Sequence, residues 1–433
     1  MQGDWGFRKL MSWLGCDGYL FPSNTKNTAS QRGIVCTCKL CENCSTRLFN
    51  EQGTSKQILT STSVNAHLIL MEGDIVFRKF LFWLRYDGSR FSSMAKGAAP
   101  HTGASVFKLF ESCLARLFDE DCSKIRSTTV SRTDAKVHAL RTPFLVKPPN
   151  ERTSIIIQNP IFRSKFVDDF NDLIKNVGFE NSLKLLEITP VAKGFNPNFH
   201  VSYRRYVYRI RRFYTMDAYL KSRQTDQQSL IDLAEFDYSW AQPPSFNVEK
   251  ANEMCAILRR PGLDYASFYF HKMGDRLKGK NFKTTTDRRW PRLLQIYRGE
   301  PYFLPDEDAE YFNIEFVAHG FLRQQIRRMV SLISLAARKI DHAKFVAEFL
   351  LKDPDPTKYH QIGMKLAPPN GLFLADVVYD PRMFSTPIPF YPNAWDEEVS
   401  EDNKLESEEE DDEEGVEYYD EREERRQLKF QAF

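Results

Sequence analysis

The 433-residue sequence lacks any apolar stretch of about eighteen residues, so we expect no membrane-spanning helix. It also lacks the charged segment and short apolar run that open a secretory signal, and its eight cysteines follow no regular framework. Irregularly spaced cysteines in a chain of this length are typical of a reducing compartment. We therefore expect an intracellular protein, with the mitochondrion, the nucleus and the cytosol as alternatives.

Four cysteines, Cys36, Cys38, Cys41 and Cys44, lie within nine residues of one another. Such a cluster suggests a zinc site as one interpretation. Structural zinc sites usually join two pairs of ligands that are about a dozen residues or more apart, and this spacing is missing here. We therefore interpret the four side chains as unpaired thiols and predict no metal site.

The net charge of +2 hides an uneven distribution of charged residues. Residues 396–424 contain eighteen acidic residues, and outside residues 396–433 the chain carries 55 basic and 40 acidic side chains. A basic surplus of this size attracts nucleic-acid phosphates irrespective of sequence, although basic residues also serve solubility alone. The acidic run has too little apolar surface to fold, so we predict that residues 396–433 are a disordered acidic tail.

Residues 1–70 resemble a degenerate copy of the segment that follows them. Aligning residues 1–22 with residues 71–92 gives eleven identities in twenty-two positions. The copy has no carboxylate at the position equivalent to Asp134. One repeat is too few for a solenoid, so a decayed tandem duplication and a mispredicted exon are the two explanations, and we expect this segment to be poorly ordered.

Hydrophobic periodicity and turn signals predict both helices and strands from Phe77 onward. The predicted strands are Phe77–Tyr86, Leu183–Ile188, Tyr203–Phe213 and Tyr311–Ala318. The predicted helices are Ser105–Leu117, Phe166–Val177, Val248–Leu258 and Phe321–Ala337. We interpret Leu145, Val146 and the three isoleucines Ile155, Ile156 and Ile157 as parts of β-rich segments. Because the elements do not alternate regularly as in a doubly wound sheet, the sequence predicts an α+β fold.

The segment V-S-R-T-D-A-K-V-H-A-L at residues 130–140 places a carboxylate, Asp134, two residues after Arg132. Taken alone, the segment supports two interpretations equally well: a functional carboxylate beside an arginine, or a structural Arg-x-Asp turn that forms a solvated ion pair or an Asx-turn. Further motifs follow in the chain: L-D-Y-A-S-F at 263–268, F-N-P-N-F at 195–199 with R-R-Y-V-Y at 204–208, G-F-L-R-Q-Q-I-R-R-M-V at 320–330 and A-P-P-N-G-L-F-L at 367–374. Together they decide between the two interpretations.

These motifs resemble, in content and order, those of the TruA-type tRNA pseudouridine synthases, over roughly residues 77–382. The eukaryotic synthase-like members share the S-R-T-D-A-x-V-H-A-L and Q-V/I-R-R-M runs. The resemblance implies catalytic roles for Asp134 as the essential carboxylate, for Tyr206 as an aromatic face for the flipped uracil, and for Arg327 as the partner of Asp134. Tyr208, on the same strand, is interpreted as a core residue.

We expect five side chains to bind the RNA substrate: Arg132, Lys136, Arg204, Arg205 and Arg323. Arg132 would additionally help to flip the target base out of its helix. On a helix beginning at Phe321, Arg323 and Arg327 would share one face. The 367–374 motif is expected to line the cleft without a catalytic role.

The fold implied by the resemblance is the pseudouridine synthase fold, with two α/β subdomains and a mixed or antiparallel sheet flanking a basic active-site cleft. We place an N-terminal catalytic subdomain at residues 71–190, carrying Asp134, and a C-terminal subdomain at residues 191–385, carrying Tyr206 and Arg327. A homodimer is compatible with the resemblance. The expected partner is tRNA, with no membrane contact.

Uridine isomerisation gains and loses no atoms, so we expect no cofactor. The carboxylate would attack C1′ or aid deprotonation of the ribose, and an adjacent guanidinium would keep the carboxylate ionised. Two positions depart from the family pattern: Lys136 replaces a glycine, and residues 92–95 replace an x-G-[WF]-Q loop. If residue 136 needs a positive φ, the lysine is strained. The alternatives are therefore a catalytically inactive RNA-binding protein of the same fold and, on the acidic tail alone, a chaperone for nucleic acids or histones.

Overall fold

The computed structural model of the protein describes residues 77–94, 105–224, 226–270 and 289–388. The predicted degenerate copy, the cysteine cluster and the predicted acidic tail lie outside the described residues. The predictions made for them are therefore not tested by the structure.

The described chain contains nine strands and ten α-helices. The strands are β1 (Lys79–Tyr86), β2 (Arg126–Thr129), β3 (His138–Lys147), β4 (Leu183–Val191), β5 (Val201–Phe213), β6 (Trp240–Gln242), β7 (Leu293–Gly299), β8 (Ala309–Ala318) and β9 (Leu372–Tyr379). The helices are α1 (Val106–Phe118), α2 (Glu151–Gln158), α3 (Pro160–Asn176), α4 (Met216–Lys221), α5 (Leu230–Glu235), α6 (Val248–Leu258), α7 (Gln325–Ala336), α8 (Ile340–Lys352), α9 (Lys358–Gln361) and α10 (Arg382–Ser385). Among the described helices, none has the length and apolar character needed to cross a membrane.

All nine strands belong to one mixed sheet, whose main path runs β4-β1-β3-β9-β5-β8-β7. The strands are antiparallel to their neighbours, except that β9 runs parallel to β3 and the short β6 runs parallel to β5. This architecture confirms the predicted α+β class. The pairing of β3 with β9 joins strands from both predicted subdomains into one sheet, and the boundary between those subdomains stays a prediction.

Strand β3 shares one of its edges between two partners. Strand β1 runs along the opposite edge, while β9 pairs with His138 and Ala139 and β2 pairs with the far end, from Phe144 to Lys147. Residues 130–137, which connect β2 to β3, therefore start on the edge that β9 also occupies. This connection carries Asp134.

The main core lies between one face of the sheet and the long helices. Strand β1 is apolar and buried along nearly its whole length, as expected for a strand covered on both faces. Phe82 on β1 and Phe144 on β3 pack with Phe110 of α1 and Phe166 of α3, with ring centroids 5.0–6.0 Å apart. These aromatic contacts hold the helices onto the sheet beside the Asp134 connection.

Every strand and helix predicted from periodicity is present, and all but the helix at Val248–Leu258 differ from the prediction at one or both ends. Helix α3 begins six residues before the predicted start, because the Asn159 side chain accepts hydrogen bonds from the first-turn backbone and Pro160 occupies the first helical position. Helix α7 begins at Gln325 instead of Phe321. The later start of α7 changes where Arg323 lies.

The interpretation of Ile155, Ile156 and Ile157 as β-rich is wrong, because all three lie in helix α2. Asn150 caps this helix, its side chain accepting from the backbone N–H of Thr153. The cap and the contact of buried Ile157 with the core outweigh the weak strand preference of β-branched residues.

Candidate active site

Asp134 and Arg327 form an ion pair although 193 residues separate them in the chain. Nη1 of Arg327 lies 3.0 Å from Oδ2 of Asp134, and the side chains are 13% and 25% exposed. Nε of Arg327 also donates to the carbonyl of Ala367 at 2.8 Å. The guanidinium is thus fixed on one side by the 367–374 motif and presents a positive charge to a carboxylate that solvent still reaches.

The Asp134 connection is held by a turn and by the end of β1. The backbone N–H of Val137 donates to the carbonyl of Asp134 at 3.1 Å, which closes the turn. The hydroxyls of Tyr86 and Thr133 lie 2.7 Å apart, so the residue before Asp134 is tied to β1. Tyr86 is buried, which makes this tie part of the core.

Lys136 adopts the left-handed conformation, with φ of 64°. The positive φ is the condition under which the sequence predicts strain for a lysine in place of glycine. A non-glycine residue in this region costs about 1–2 kcal/mol. The Lys136 side chain is exposed. The energetic cost at this position therefore lies in the backbone conformation and not in burial of the ammonium group.

Tyr206 lies on β5 between Phe316 of β8 and Leu374 of β9, and it is 8% exposed. Its ring packs edge-to-face on Phe321 with centroids 5.3 Å apart. Burial raises the pKa of Tyr206 to about 12; the negative charge of Asp134 acts in the same direction, and Arg204 opposes both. Tyr206 is therefore a neutral phenol near the carboxylate.

Tyr208, two residues along the same strand, has no exposed surface. Its hydroxyl donates to the carbonyl of Pro368 at 2.8 Å. The interpretation of Tyr208 as a core residue is confirmed.

The five predicted RNA-binding residues lie in different surroundings. Arg132 is exposed beside Asp134. Arg204 is partly buried and donates to three protein acceptors. Arg205 pairs with Glu315 on β8, its Nε lying 2.5 Å from Oε1. RNA contact by these side chains stays a prediction.

Arg323 lies before helix α7 and not on it, so the expectation that it shares a helical face with Arg327 is wrong. Gln324 adopts a positive φ of 61° immediately before the helix. The Gln325 side chain accepts from the backbone N–H of Leu322 at 2.8 Å, which folds the chain back at this point. The Arg323 guanidinium instead lies 4.9 Å from the ring centroid of Phe270.

A buried histidine–aspartate pair beside the Asp134 connection was not singled out by sequence. His138 has no exposed surface, and its Nδ1 lies 3.0 Å from Oδ1 of Asp87. Nε2 of His138 donates to the carbonyls of Asp237 and Asn370, at 2.8 and 3.1 Å. The pair thus joins the end of β1, the start of β3, the chain before β6 and the 367–374 motif.

The Asp87 carboxylate accepts further hydrogen bonds from the Tyr238 hydroxyl at 2.6 Å and from Ser89. Burial alone would raise the pKa of Asp87, but the hydrogen bond and charge of His138, with the bonds from Tyr238 and Ser89, lower it well below its usual value. The sequence did contain a signal for this pair, because Asp87 directly follows β1 and precedes a glycine, and His138 belongs to the 130–140 motif.

In the described part of the chain, no group of three or more His, Cys, Asp or Glu side chains could hold a metal ion.

The amino-acid sequence is similar to those of known proteins. A family model described as tRNA pseudouridine synthase matches residues 277–380, which include Arg327. The chain is 23% identical over 307 residues to tRNA pseudouridine synthase-like 1 of Mus musculus, covering 70% of this chain and 94% of the mouse protein. It is 22% identical over 307 residues to the protein of the same name from Homo sapiens, covering 70% and 90% of the two chains.

A bacterial protein shows the same relation. The chain is 22% identical over 296 residues to tRNA pseudouridine synthase A of Thermodesulfovibrio yellowstonii, covering 68% of this chain and 97% of that protein. The similarity therefore extends over nearly the whole length of these relatives and is not confined to a single motif.

Proposed function

We propose, from the premise that this chain belongs to the TruA-type tRNA pseudouridine synthase family, that it isomerises uridine to pseudouridine in tRNA. The observation that carries the proposal is the 3.0 Å contact between Arg327 and Asp134. A solvent-accessible carboxylate with a fixed guanidinium beside it and a tyrosine close by matches the set of catalytic groups that the family resemblance implies.

The reaction breaks the N1–C1′ bond of uridine, turns the freed uracil and joins C5 to C1′. C5 loses a proton and N1 gains one, so no atoms or electrons are gained overall. Asp134 serves this chemistry in one of two ways. It attacks C1′ and displaces N1 of the uracil, and C5 then displaces the carboxylate; or it aids deprotonation of the ribose, and the proton returns when C5 bonds to C1′. In both, the carboxylate must be ionised and fixed beside the ribose, and Arg327 supplies the counter-charge and the orientation.

Tyr206 would provide the surface against which the extruded uracil lies. Burial raises the pKa of Tyr206 to about 12, which favours the uncharged phenol at physiological pH. Aromatic side chains stack on unpaired bases irrespective of base identity. The exposed basic side chains of Arg132 and Lys136 flank Asp134 in sequence and would contact the RNA backbone.

The test is tritium release from tRNA that carries 5-tritiated uridine. The wild-type protein should release tritium, and Asp134→Asn should reduce the rate by roughly a hundredfold or more with tRNA affinity nearly unchanged. Asp169→Asn is the matched control, because Asp169 pairs with Lys165 on helix α3 and should not affect turnover.

Turnover by Asp134→Asn within about tenfold of wild type would remove Asp134 from the reaction. A wild-type protein that binds tRNA but releases no tritium would instead support the alternative of a catalytically inactive RNA-binding protein. Mapping pseudouridine in RNA from cells with and without the gene would then identify the modified uridine.

A further inference from the structure

Arg204 connects three segments of the candidate active site. It lies on β5 two residues before Tyr206, and its guanidinium donates three hydrogen bonds to protein atoms. Nε donates to the Ser131 hydroxyl at 2.7 Å, Nη2 to the Val130 carbonyl at 3.1 Å and Nη1 to the His319 carbonyl at 2.5 Å. The planar guanidinium of Arg204 therefore binds acceptors from two other parts of the chain, at residues 130–131 and at His319.

These acceptors lie close in sequence to the two members of the ion pair. Ser131 belongs to the connection between β2 and β3, three residues before Asp134. His319 directly follows β8, on the segment that leads into α7 and Arg327. Arg204 thus joins the strand of Tyr206 to the segments that carry the carboxylate and its guanidinium partner.

The segment after β8 is held from a second side. Nη1 of Arg289 donates to the carbonyl of Phe321 at 3.0 Å. A Cβ atom added to Gly320 would lie 2.8 Å from that Arg289 nitrogen and 3.6 Å from Nη1 of Arg204. The backbone from His319 to Phe321 therefore lies between two arginines, and its glycine permits their close approach.

We propose that Arg204 is a positioning residue, which sets the approach of Asp134 to Arg327 by clamping both segments onto β5, and that it does not contact RNA phosphate. This proposal rests on the proposed function. It also revises the sequence-based expectation for Arg204. Three of the five guanidinium donors are already used within the protein, in a fork geometry that a lysine ammonium cannot reproduce.

The two roles make different predictions for Arg204→Lys. The substitution keeps the positive charge but loses the planar fork. A phosphate contact made by charge would survive it, with affinity for tRNA and turnover largely retained. A clamp would be lost, and misplacement of catalytic groups by about 1 Å reduces a rate by roughly a hundredfold without weakening substrate binding.

The experiment measures the single-turnover rate of tritium release and the Kd for tRNA at several salt concentrations. We expect Arg204→Lys to lower the rate at least about tenfold with Kd within about twofold of wild type. We expect Arg204→Met to leave the slope of log Kd against log salt unchanged, whereas loss of one phosphate contact would reduce it by about one unit. Arg212→Lys is the matched control, because Arg212 lies on the same strand and binds the Phe246 carbonyl and Glu310, remote from Asp134.

An Arg204→Lys rate within about threefold of wild type, or a salt slope that falls in Arg204→Met, would overturn the proposal. If the Arg204 variants do not fold, Ser131→Ala removes one acceptor of the clamp, and an unchanged rate for it would overturn the proposal equally. A wild-type protein without activity would contradict the proposed function alone. The salt slope would then still decide whether Arg204 contacts phosphate.

Discussion

The backbone of Gly88 packs directly against the carbonyl group of Val137. A Cβ atom added to Gly88 would lie 2.2 Å from that oxygen and 2.8 Å from the carbonyl carbon of Lys136. The contact joins the turn after β1 to the connection that carries Asp134. Because main-chain atoms would meet the added carbon, a side chain at this position fits only if the connection moves.

Gly88→Ala should therefore destabilise the protein and impair the reaction. Overpacking against a fixed backbone costs about 2–3 kcal/mol, measurable as a lower midpoint in urea unfolding. We also expect tritium release to fall more than tRNA affinity, since the displaced backbone is adjacent to Asp134. Gly194→Ala is the control: its Cβ would meet only a Pro387 side-chain atom at 3.4 Å. Equal midpoints for the two variants would contradict the prediction.

The elements that the sequence predicts well are those whose own periodicity carries the signal. Helix α6 has the predicted bounds, Val248–Leu258, and strand β1 differs only by two residues at its start. Strands β7 and β9 were not predicted. In β9, Asp376 interrupts the apolar pattern, and its carboxylate is paired with Arg141 of β3, a partner 235 residues away that no local pattern reveals.

The sequence motifs predict the parts of the candidate site that depend on particular side-chain types. The pairing of Asp134 with Arg327 follows from the resemblance, and the structure brings the two side chains together. The clamp by Arg204 was not predictable, because two of its three acceptors are backbone carbonyls, which every residue possesses. The same holds for His138, whose Nε2 donates only to carbonyls.

Lys136→Gly should stabilise the protein. Removing the side chain relieves about 1–2 kcal/mol of left-handed strain, and the greater freedom of glycine in the unfolded chain offsets part of that gain. We expect a net increase of about 0.5–1 kcal/mol in the free energy of unfolding, measured by urea titration. Lys136→Ala should not share the increase, because alanine retains the Cβ that causes the strain. An equal gain in both variants would mean that the lysine is destabilising for another reason.

Asp87→Asn should destabilise the protein in a pH-dependent manner. The substitution removes a buried carboxylate that faces His138 and accepts from Tyr238 and Ser89, and loss of hydrogen bonds to a buried charged group costs about 1.5–3 kcal/mol. The pKa of Asp87 is lower in the folded protein than in the unfolded chain. Its contribution to stability is therefore fully present above the ordinary carboxyl value of about 3.9 and is lost as the pH falls through the lowered folded value.

The difference in unfolding free energy between wild type and Asp87→Asn should accordingly shrink as the pH falls below about 4. Urea unfolding at a series of pH values measures it. Asp380→Asn is the matched control, because Asp380 also has a lowered pKa but forms its ion pair with Arg382 at the surface, where solvent screens the interaction. A difference for Asp87→Asn that grows as the medium becomes more acidic would show that the carboxyl group is protonated in the folded protein, contrary to its contacts with His138 and Tyr238.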